Sequence, residues 1–469
     1  MAVAALLLLV SFATALRPAP YLPNDINEDF TLSRLQTQYD PGPLTELKVT
    51  DNVINLKRAD SWSMSSVYVQ ALRRRPGVSR ATNGSVNLVG VEAGQVFLAP
   101  VTVGGQSFDV VVDSGSSDPW LVATNFNCFE YATLDPETED YCYFGTPYNA
   151  SASSTYRVMA NENFNISYAD GESLAGSMGY ESFTMGGITV PSQQFGVVNY
   201  AAWFGDGYSS GLVGFAYRTL TSAYAGTNPA QDQPGGQLLY NPLFVDMYTN
   251  QGVPPVFSLA IDRDPNNGGV LALGGIPNIP HSPVFASTPI IPVGTNSSSG
   301  QLVYEFYTIV VDGFAYSASE STQFNPYSNN NPRKTSLVGN GSSAIVDSGT
   351  TLFYAPNDVA EGVGLLFSPP GTYDETDEVW LVDCDAKPPV FGVGVGGKIF
   401  YVNPLDLVLQ YSETQCISGI QPQFDSQFSV MGDVWMKNVI AVFDIGAEQM
   451  RFAARQYYGL TAQSKAANT

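Results

Sequence analysis

The chain contains a single histidine, His281, in 469 residues. This residue lies between two prolines in the segment 279–283, which is typical of a loop. A zinc site with two histidines is therefore excluded, and a Ser-His or Cys-His nucleophile would depend on this residue alone. The Gly-x-x-x-x-Gly-Lys-Ser/Thr motif of phosphate-binding loops does not occur either. Carboxylates remain as the side chains able to serve as acid and base.

Charged residues are scarce as well, at 13%, and the 20 Lys and Arg are outnumbered by 43 Asp and Glu. Residues 81–469 hold 11 basic and 36 acidic side chains. A protein body this acidic repels nucleic acid and anionic membranes at neutral pH, which argues against both as partners. The alternative explanation is that acidity serves solubility, as it does in many secreted proteins.

The apolar run at the N terminus is too short to span a bilayer. Residues 4–10 are all Ala, Leu or Val, and the small-x-small sequence 13–15 follows. This pattern predicts a cleaved secretion signal over residues 1–15 rather than a membrane anchor. Residues 455–469 lack an apolar run, so we expect no lipid anchor of the removed-tail type. Secretion to the outside is favoured over the alternative, a vacuolar destination.

Residues 16–80 are polar and irregular, and their charge differs from that of the rest. They hold nine Lys or Arg against seven Asp or Glu. Basic clusters at 57–58, at 73–75 and at Arg80 indicate a prosegment with basic processing sites. Its positive charge would pair with the acidic body near neutral pH, and these pairs would weaken as carboxylates protonate. We therefore expect a zymogen that is cleaved in acid between Arg75 and Ala81.

The cysteines number only four, and in a secreted protein we expect them to form disulfides rather than a metal site. Four cysteines allow three pairings. Proximity in the sequence favours Cys128 with Cys142 and Cys384 with Cys416. Five Asn-x-Ser sequons are candidates for glycosylation, at Asn83, Asn149, Asn165, Asn296 and Asn340.

Helical periodicity is rare, and the composition favours β-structure. Tyr and Phe number 26 each, and short β-branched or aromatic runs alternate with Gly, Asn and Pro clusters. Segments 95–105, 183–190 and 269–275 are predicted strands and hairpins. Short helices are expected near 358–366 and 404–409. The sequence therefore predicts an all-β protein.

Two copies of one motif stand out, an apolar pair followed by Asp-Ser-Gly and then Ser or Thr. They place Asp113 and Asp347 in similar strand-to-turn junctions. Each copy is followed later by two apolar residues and a glycine, at 212–214 and at 430–432. This repetition predicts two lobes of common design, 81–258 and 259–469, with a boundary near 257–259. An ordinary pair of turns is the alternative explanation.

Two aspartates that meet in a cleft cannot both be ionised, because like charges at hydrogen-bonding distance repel strongly. One keeps a proton while the other is anionic, which provides an acid and a base from one residue type. Gly115 and Gly349 would let the backbone approach the carboxylates. Ser116 and Thr350 would donate hydrogen bonds that hold the anion.

These motifs resemble those of the pepsin-like aspartic peptidases, of the kind that fungi secrete. The resemblance covers residues 90–455 and implies a bilobal fold of two pseudo-symmetric β-barrel-like lobes, with the active-site cleft between them. The matching segments are the first loop 112–117 with Trp120, the flap 166–171, the second loop 344–351 and the closing strands 430–434 and 442–444.

The resemblance also implies a mechanism and a set of partners. A water between Asp113 and Asp347 would attack a peptide carbonyl. Tyr168 would form a hydrogen bond with Trp120 as the flap closes. The expected partners are polypeptide substrates, statine-type inhibitors such as pepstatin, and the chain's own prosegment, with no cofactor and no metal. We expect a monomer. Substrate contacts are implied for Tyr168, Ala169, Asp170, Gly349, Thr350 and Thr351.

Several positions depart from the commonest family pattern. Asp118 adds a carboxylate where relatives usually have Asn, which puts the pH optimum in question. Ser114 and Ser348 replace the more frequent Thr, Ala169 replaces a flap glycine, and Ser210 replaces an Asp. A catalytically silent relative that only binds peptides is one alternative function, although its loops are usually broken. A glycosidase with two carboxylates is another, although twin Asp-Ser-Gly loops do not belong to that chemistry.

Overall fold

A computed structural model describes the chain over most of its length. The predicted signal 1–15, the processing region 62–80 and the sequons Asn83, Asn296 and Asn340 lie outside the described residues. The described residues are 46–61, 94–130, 133–168, 172–233, 235–263, 267–295, 301–325, 336–339, 341–375, 377–410, 415–423 and 428–455.

Strands dominate the described residues, as the aromatic and β-branched composition predicts. Those up to residue 261 are β1 (Val53–Ser61), β2 (Gly94–Val103), β3 (Gln106–Asp113), β4 (Pro119–Phe129), β5 (Pro136–Glu137), β6 (Arg157–Ser167), β7 (Ser173–Met185), β8 (Ile188–Ala202), β9 (Gly211–Gly214), β10 (Ala223–Ala225) and β11 (Val256–Ile261).

The second half continues with shorter strands. They are β12 (Gly269–Leu273), β13 (Ala286–Pro289), β14 (Gly294–Thr295), β15 (Leu302–Val303), β16 (Thr308–Val310), β17 (Gly313–Ser317), β18 (Ser343–Val346), β19 (Phe353–Ala355), β20 (Thr372–Asp374), β21 (Val379–Val382), β22 (Val390–Val395), β23 (Lys398–Tyr401), β24 (Val408–Gln410), β25 (Cys416–Ser418), β26 (Ile420–Pro422), β27 (Ser429–Met431), β28 (Val439–Asp444) and β29 (Gln449–Ala454).

Three short α-helices interrupt the strands of the described residues: α1 (Leu243–Asn250), α2 (Asn357–Gly364) and α3 (Asp433–Met436). The helix expected near 358–366 is therefore confirmed as α2. The one expected over 404–409 is wrong. Only a 3-10 turn forms there, at Pro404–Asp406, because the chain extends into β24 two residues later. The three predicted hairpin segments are confirmed as β2, β7 with β8, and β12.

One large sheet links the two halves of the chain. Its strands follow the order β10-β6-β7-β8-β4-β9-β3-β2-β1-β12-β11-β28-β29-β13, and smaller sheets of β16-β18-β27-β19-β26, β17-β22-β23 and β20-β21-β25-β24 complete the second half. The Phe257 ring in β11 stacks on the Phe443 ring in β28 at 4.3 Å. The expected lobe boundary at 257–259 therefore falls inside a buried strand of this shared sheet.

The two halves repeat one local design around the twin aspartates. Strand β3 pairs in parallel with β9, so that Asp113 lies opposite Gly214. Strand β18 pairs in parallel with β27, so that Val346 lies opposite Met431 and Asp347 follows directly. Each downstream apolar pair is thus the strand that supports an aspartate loop. This explains why the sequence repeats both pieces.

Strand β1 comes from the predicted prosegment and is built into the large sheet. Its residues 53–56 pair antiparallel with β12, and its residues 57–61 pair antiparallel with β2. Ile54 and Leu56 are almost fully buried in the core. The alternation of these apolar residues with polar neighbours explains why the segment forms a half-buried strand.

Candidate active site

Asp113 ends β3 and Asp347 follows β18, and both carboxylates are held in the same way. The Gly115 N–H donates to Asp113 Oδ1 at 2.7 Å, and the Ser116 hydroxyl donates to Asp113 Oδ2. The Gly349 N–H donates to Asp347 Oδ1 at 2.8 Å, and the Thr350 hydroxyl donates to Asp347 Oδ2 at 2.6 Å. Each turn therefore orients its own carboxylate through one backbone donor and one hydroxyl donor.

The glycine of each loop faces the carboxylate of the other loop. A Cβ added to Gly115 would lie 2.5 Å from Asp347 Oδ1, and one added to Gly349 would lie 2.5 Å from Asp113 Oδ1. Real Cβ atoms do not approach oxygen so closely, so any side chain here would push the loops apart. The two aspartates consequently face each other across a junction that only glycine permits.

Two serines connect the loops to each other. The Ser348 N–H donates to Ser114 Oγ at 2.9 Å, and the Ser114 N–H donates to Ser348 Oγ at 3.1 Å. Each hydroxyl also donates to a backbone carbonyl of the opposite half, Ser114 to Val346 and Ser348 to Val112. Both serines are buried. This reciprocal set of hydrogen bonds fixes the separation of the carboxyl groups.

The electrostatics of the pair follow from burial and from like charge. Asp113 is 5% exposed, and its carboxyl group lies within hydrogen-bonding range of that of Asp347. Burial raises the pKa of Asp113 well above its ordinary value, and the charge of Asp347 raises it further, while bonds from Ser116 and Gly115 oppose the shift. The pair therefore holds a proton well above the pH at which a free carboxyl loses it.

Tyr168 lies at the end of the hairpin that β6 and β7 form. Its hydroxyl accepts a hydrogen bond from Trp120 Nε1 at 2.8 Å, which the resemblance predicted. The Tyr168 N–H donates to the Glu172 carbonyl at 2.8 Å and closes the hairpin. Ala169 and Asp170, at the tip, lie outside the described residues. The tyrosine is thus placed over the site by a two-stranded arm.

An aromatic cluster surrounds this pair, and the sequence analysis did not single it out. The Trp203 ring lies 5.3 Å from that of Trp120 and 5.7 Å from that of Tyr168, both edge to face. The Phe144 ring stacks on Trp203 at 5.9 Å. These contacts join residues that are 35 or more positions apart and lie on different strands and loops. The abundance of aromatic residues was the only signal for them.

Asp118 is fully buried beside this cluster. Its Oδ1 accepts hydrogen bonds from the Tyr240 hydroxyl at 2.5 Å and from the Ser222 N–H at 2.9 Å. Burial raises the pKa of Asp118 to about 6, while the bonds from Tyr240 and Ser222 oppose the shift. Asp118, which departs from the commonest family pattern, therefore lies in the immediate surroundings of the active site.

The remaining predicted site residues divide into two groups. Thr350 is half-buried and hydrogen-bonded to Asp347, whereas Thr351 is only 2% exposed, so its side chain does not line an open surface.

Both favoured disulfides form, Cys128 with Cys142 and Cys384 with Cys416. No group of three or more potential metal ligands occurs among the described residues. No helix in the described part is long and apolar enough to cross a membrane.

A family model described as eukaryotic aspartyl protease matches residues 96–455. The chain belongs to this family. The aspartyl protease match includes both aspartate loops, the Tyr168 hairpin and all four cysteines. The resemblance to pepsin-like peptidases and the all-β bilobal fold are thereby confirmed, and the chain is an aspartic-type endopeptidase of the pepsin family.

Similar proteins come from fungi. The chain is 36% identical to a probable aspartic-type endopeptidase of Aspergillus fumigatus over 459 residues, which cover 96% of this chain and 98% of that protein. It is 28% identical to rhizopuspepsin-2 of Rhizopus niveus and 27% identical to rhizopuspepsin of Rhizopus chinensis. Each of these two matches covers 76% of this chain and 78% of the relative.

Proposed function

We propose that the protein is a secreted endopeptidase, made as a zymogen, that hydrolyses extended polypeptides in acid through Asp113 and Asp347. The observation that carries this proposal is the pair of carboxylates held face to face by equivalent donors from the two halves. A water between the carboxyl groups would lose a proton to one aspartate and attack the peptide carbonyl. The other aspartate would protonate the leaving nitrogen. Because the pair must share one proton, activity is lost once both carboxyl groups are ionised.

Substrate would lie under the Tyr168 hairpin. A two-stranded arm offers backbone donors and acceptors to an extended peptide, which gives affinity with little dependence on side chains. Trp120 and Trp203 are almost fully buried, so the aromatic cluster that they form with Phe144 supports the arm as part of the core. The same proposal includes substrate contacts from Ala169, Asp170, Gly349, Thr350 and Thr351.

The zymogen part of the proposal is supported by the contacts of β1. Lys57 Nζ contacts Asp109 Oδ1 and Oδ2 at 2.8 and 2.7 Å. Burial raises the pKa of Asp433 well above its ordinary value, while the positive charges of Lys437 and, less strongly, Arg58 lower it. Two basic residues of the predicted prosegment thus interact with acidic groups of the protein body, which supports the zymogen assignment.

Secretion is supported by features expected of a protein that folds in an oxidising compartment. Both disulfides are present, and the described residues contain no free cysteine. The proposal also includes an N-terminal signal, glycosylation and a monomeric state. A vacuolar destination is the alternative to secretion. The fungal relatives fit the same assignment.

The catalytic assignment is tested with acid-unfolded haemoglobin as substrate at about pH 3 to 5, with and without pepstatin. We expect Asp113→Asn and Asp347→Asn each to abolish cleavage, because either change removes the shared proton and its acceptor. Asp246→Asn, in α1, is the matched control and should retain activity. Equal cleavage by the wild type and both active-site variants would defeat the proposal, and no cleavage by the wild type would favour a peptide-binding relative.

The zymogen assignment is tested separately by N-terminal sequencing before and after incubation in acid. We expect a precursor that starts near Leu16 and a product that starts between Arg75 and Ala81. A start that stays near Leu16 in a fully active enzyme would contradict the zymogen without touching the catalytic assignment.

A further inference from the structure

Asp118 is a third buried carboxyl group near the dyad, and the proposed reaction does not use it. It lies five residues after Asp113 and two before Trp120, in the loop that joins β3 to β4. Its backbone carbonyl accepts a hydrogen bond from the Gly214 N–H at 3.1 Å, which fixes this loop against β9. A change at Asp118 is therefore transmitted directly to the start of β4, where Trp120 lies.

The two oxygens of Asp118 have different surroundings. Oδ1 accepts from the Tyr240 hydroxyl and the Ser222 N–H. Oδ2 is buried and has no hydrogen-bond partner among the described residues. An ionised carboxylate with one unpaired oxygen in such a place is costly, because its charge is neither solvated nor compensated. A neutral carboxylic acid protonated at Oδ2 removes the charge and lets Oδ1 keep both donors, and it leaves only the smaller cost of one O–H without an acceptor.

The titratable groups that face Asp118 add no positive charge. They are the hydroxyls of Tyr240 and Tyr168, and no Lys or Arg of the described residues forms an ion pair with Asp118. The Tyr168 hydroxyl, which Trp120 contacts, faces the carboxyl groups of Asp113 and Glu172 as well. A negative charge on Asp118 would therefore add to an already acidic group around the flap tyrosine.

We propose that Asp118 is a positioning residue that, as a neutral acid, holds the start of β4 so that Trp120 contacts Tyr168. Ionisation of Asp118 loosens this contact and limits the enzyme at neutral pH. The activity part of this inference rests on the proposed function, whereas the stability part does not. The ordinary pKa of 3.8 rises to about 6 in the folded state. The folded state thus binds the proton more tightly, and stability falls as pH rises from about 4 to about 6 and stays lowered above that.

The isosteric change Asp118→Asn tests this directly. It keeps an acceptor oxygen for Tyr240 and Ser222 but cannot ionise. We expect its melting temperature to exceed that of the wild type by about 4 °C at pH 7 and to match it at pH 4. We also expect the neutral limb of its kcat/KM profile to move upward by about one pH unit.

Two further variants separate this role from a general structural one. Tyr240→Phe removes a donor from Asp118, so it should lower the melting temperature more at pH 7 than at pH 4. Asp206→Asn is the matched control, because Asp206 is 4% exposed and accepts from the N–H groups of Tyr208 and Ser209 at 2.7 and 2.6 Å. This control should not gain stability at pH 7.

The results decide between distinct failures. If Asp118→Asn and the wild type lose stability in parallel between pH 4 and pH 7, the inference is overturned. If Asp118→Asn does not fold, the Tyr240→Phe variant decides. An equal loss of melting temperature at pH 4 and pH 7 in that variant overturns the inference. If no variant cleaves haemoglobin, the proposed function fails, while the melting temperatures still report on Asp118.

Discussion

Ser114 and Ser348 exchange backbone and hydroxyl hydrogen bonds across the junction of the two halves, with N···O distances of 3.1 and 2.9 Å. Each serine is bonded to the loop that carries the other half's aspartate. The two loops are consequently one structural unit, although 234 positions separate these serines in the sequence.

This relationship predicts that Ser114→Ala is costly. The change leaves the Ser348 N–H and the Val346 carbonyl without their buried partner, which costs about 1–3 kcal/mol per unsatisfied group. We expect the free energy of unfolding in urea at pH 4 to fall by about 2 kcal/mol and kcat to fall with it. Ser114→Thr keeps the hydroxyl and should recover both. Ser319→Ala, at an exposed position, is the control. Unchanged kcat in Ser114→Ala would show that the loops do not need this bond.

Tyr168→Phe tests the contact between the hairpin and Trp120. The variant keeps the ring that packs on Trp203 but removes the acceptor of the Trp120 Nε1–H. We expect kcat/KM on a peptide substrate to fall about tenfold, because the arm is no longer held in its closed position. Tyr180→Phe, farther along the same hairpin in β7, should have little effect. Equal losses in the two variants would indicate a general weakening of the hairpin instead.

Glu305 predicts a second pH effect, independent of Asp118. Burial raises the pKa of this side chain from 4.5 to about 7. The folded state therefore holds the proton more tightly than the unfolded chain, and stability falls as pH rises from about 4.5 to about 7. Glu305→Gln should remove this decline when urea unfolding is measured at pH 4 and pH 8. Glu320→Gln, at an exposed side chain near Lys387, should leave the decline in place. The prediction fails if both variants retain the wild-type slope.

The described sequons should differ in glycosylation. Asn165 Nδ2 donates to Asp232 Oδ2 at 2.9 Å and to the Pro229 carbonyl at 3.3 Å, so a sugar on this nitrogen would disturb both bonds. Asn149 instead uses its side-chain oxygen, which accepts from the N–H and hydroxyl of Ser151. We expect glycopeptide mass spectrometry to find a glycan at Asn149 and none at Asn165. Glycan loss in Asn149→Gln is the check, and a fully occupied Asn165 would contradict the expectation.

The sequence predicted the centre of the site well because the information there is local. Asp113 and its donors Gly115 and Ser116 lie within four positions, so one motif specifies the carboxylate and what holds it. The partner motif at Asp347 repeats this arrangement. The disulfide from Cys128 to Cys142 was favoured for a similar reason, its short separation of 14 residues.

The surroundings were not predictable because they depend on long-range contacts. Tyr240 reaches Asp118 from 122 positions away, and no motif connects the two. Trp203 and Phe144 lie beside Trp120 only after three separate segments have packed. The turn at Pro404–Asp406 was wrongly expected to be helical, since its apolar spacing does not reveal that β24 follows.

Strand β1 affects how the prosegment would leave the precursor after cleavage. Residues 53–56 are paired with β12 and residues 57–61 with β2, so cutting the chain after Arg75 would not by itself release residues 53–61. Because β1 lies between β2 and β12 in the strand order, it also joins the two halves of the large sheet. The cleaved enzyme would therefore remain a nicked two-chain complex until another stretch of chain replaced β1 in the sheet.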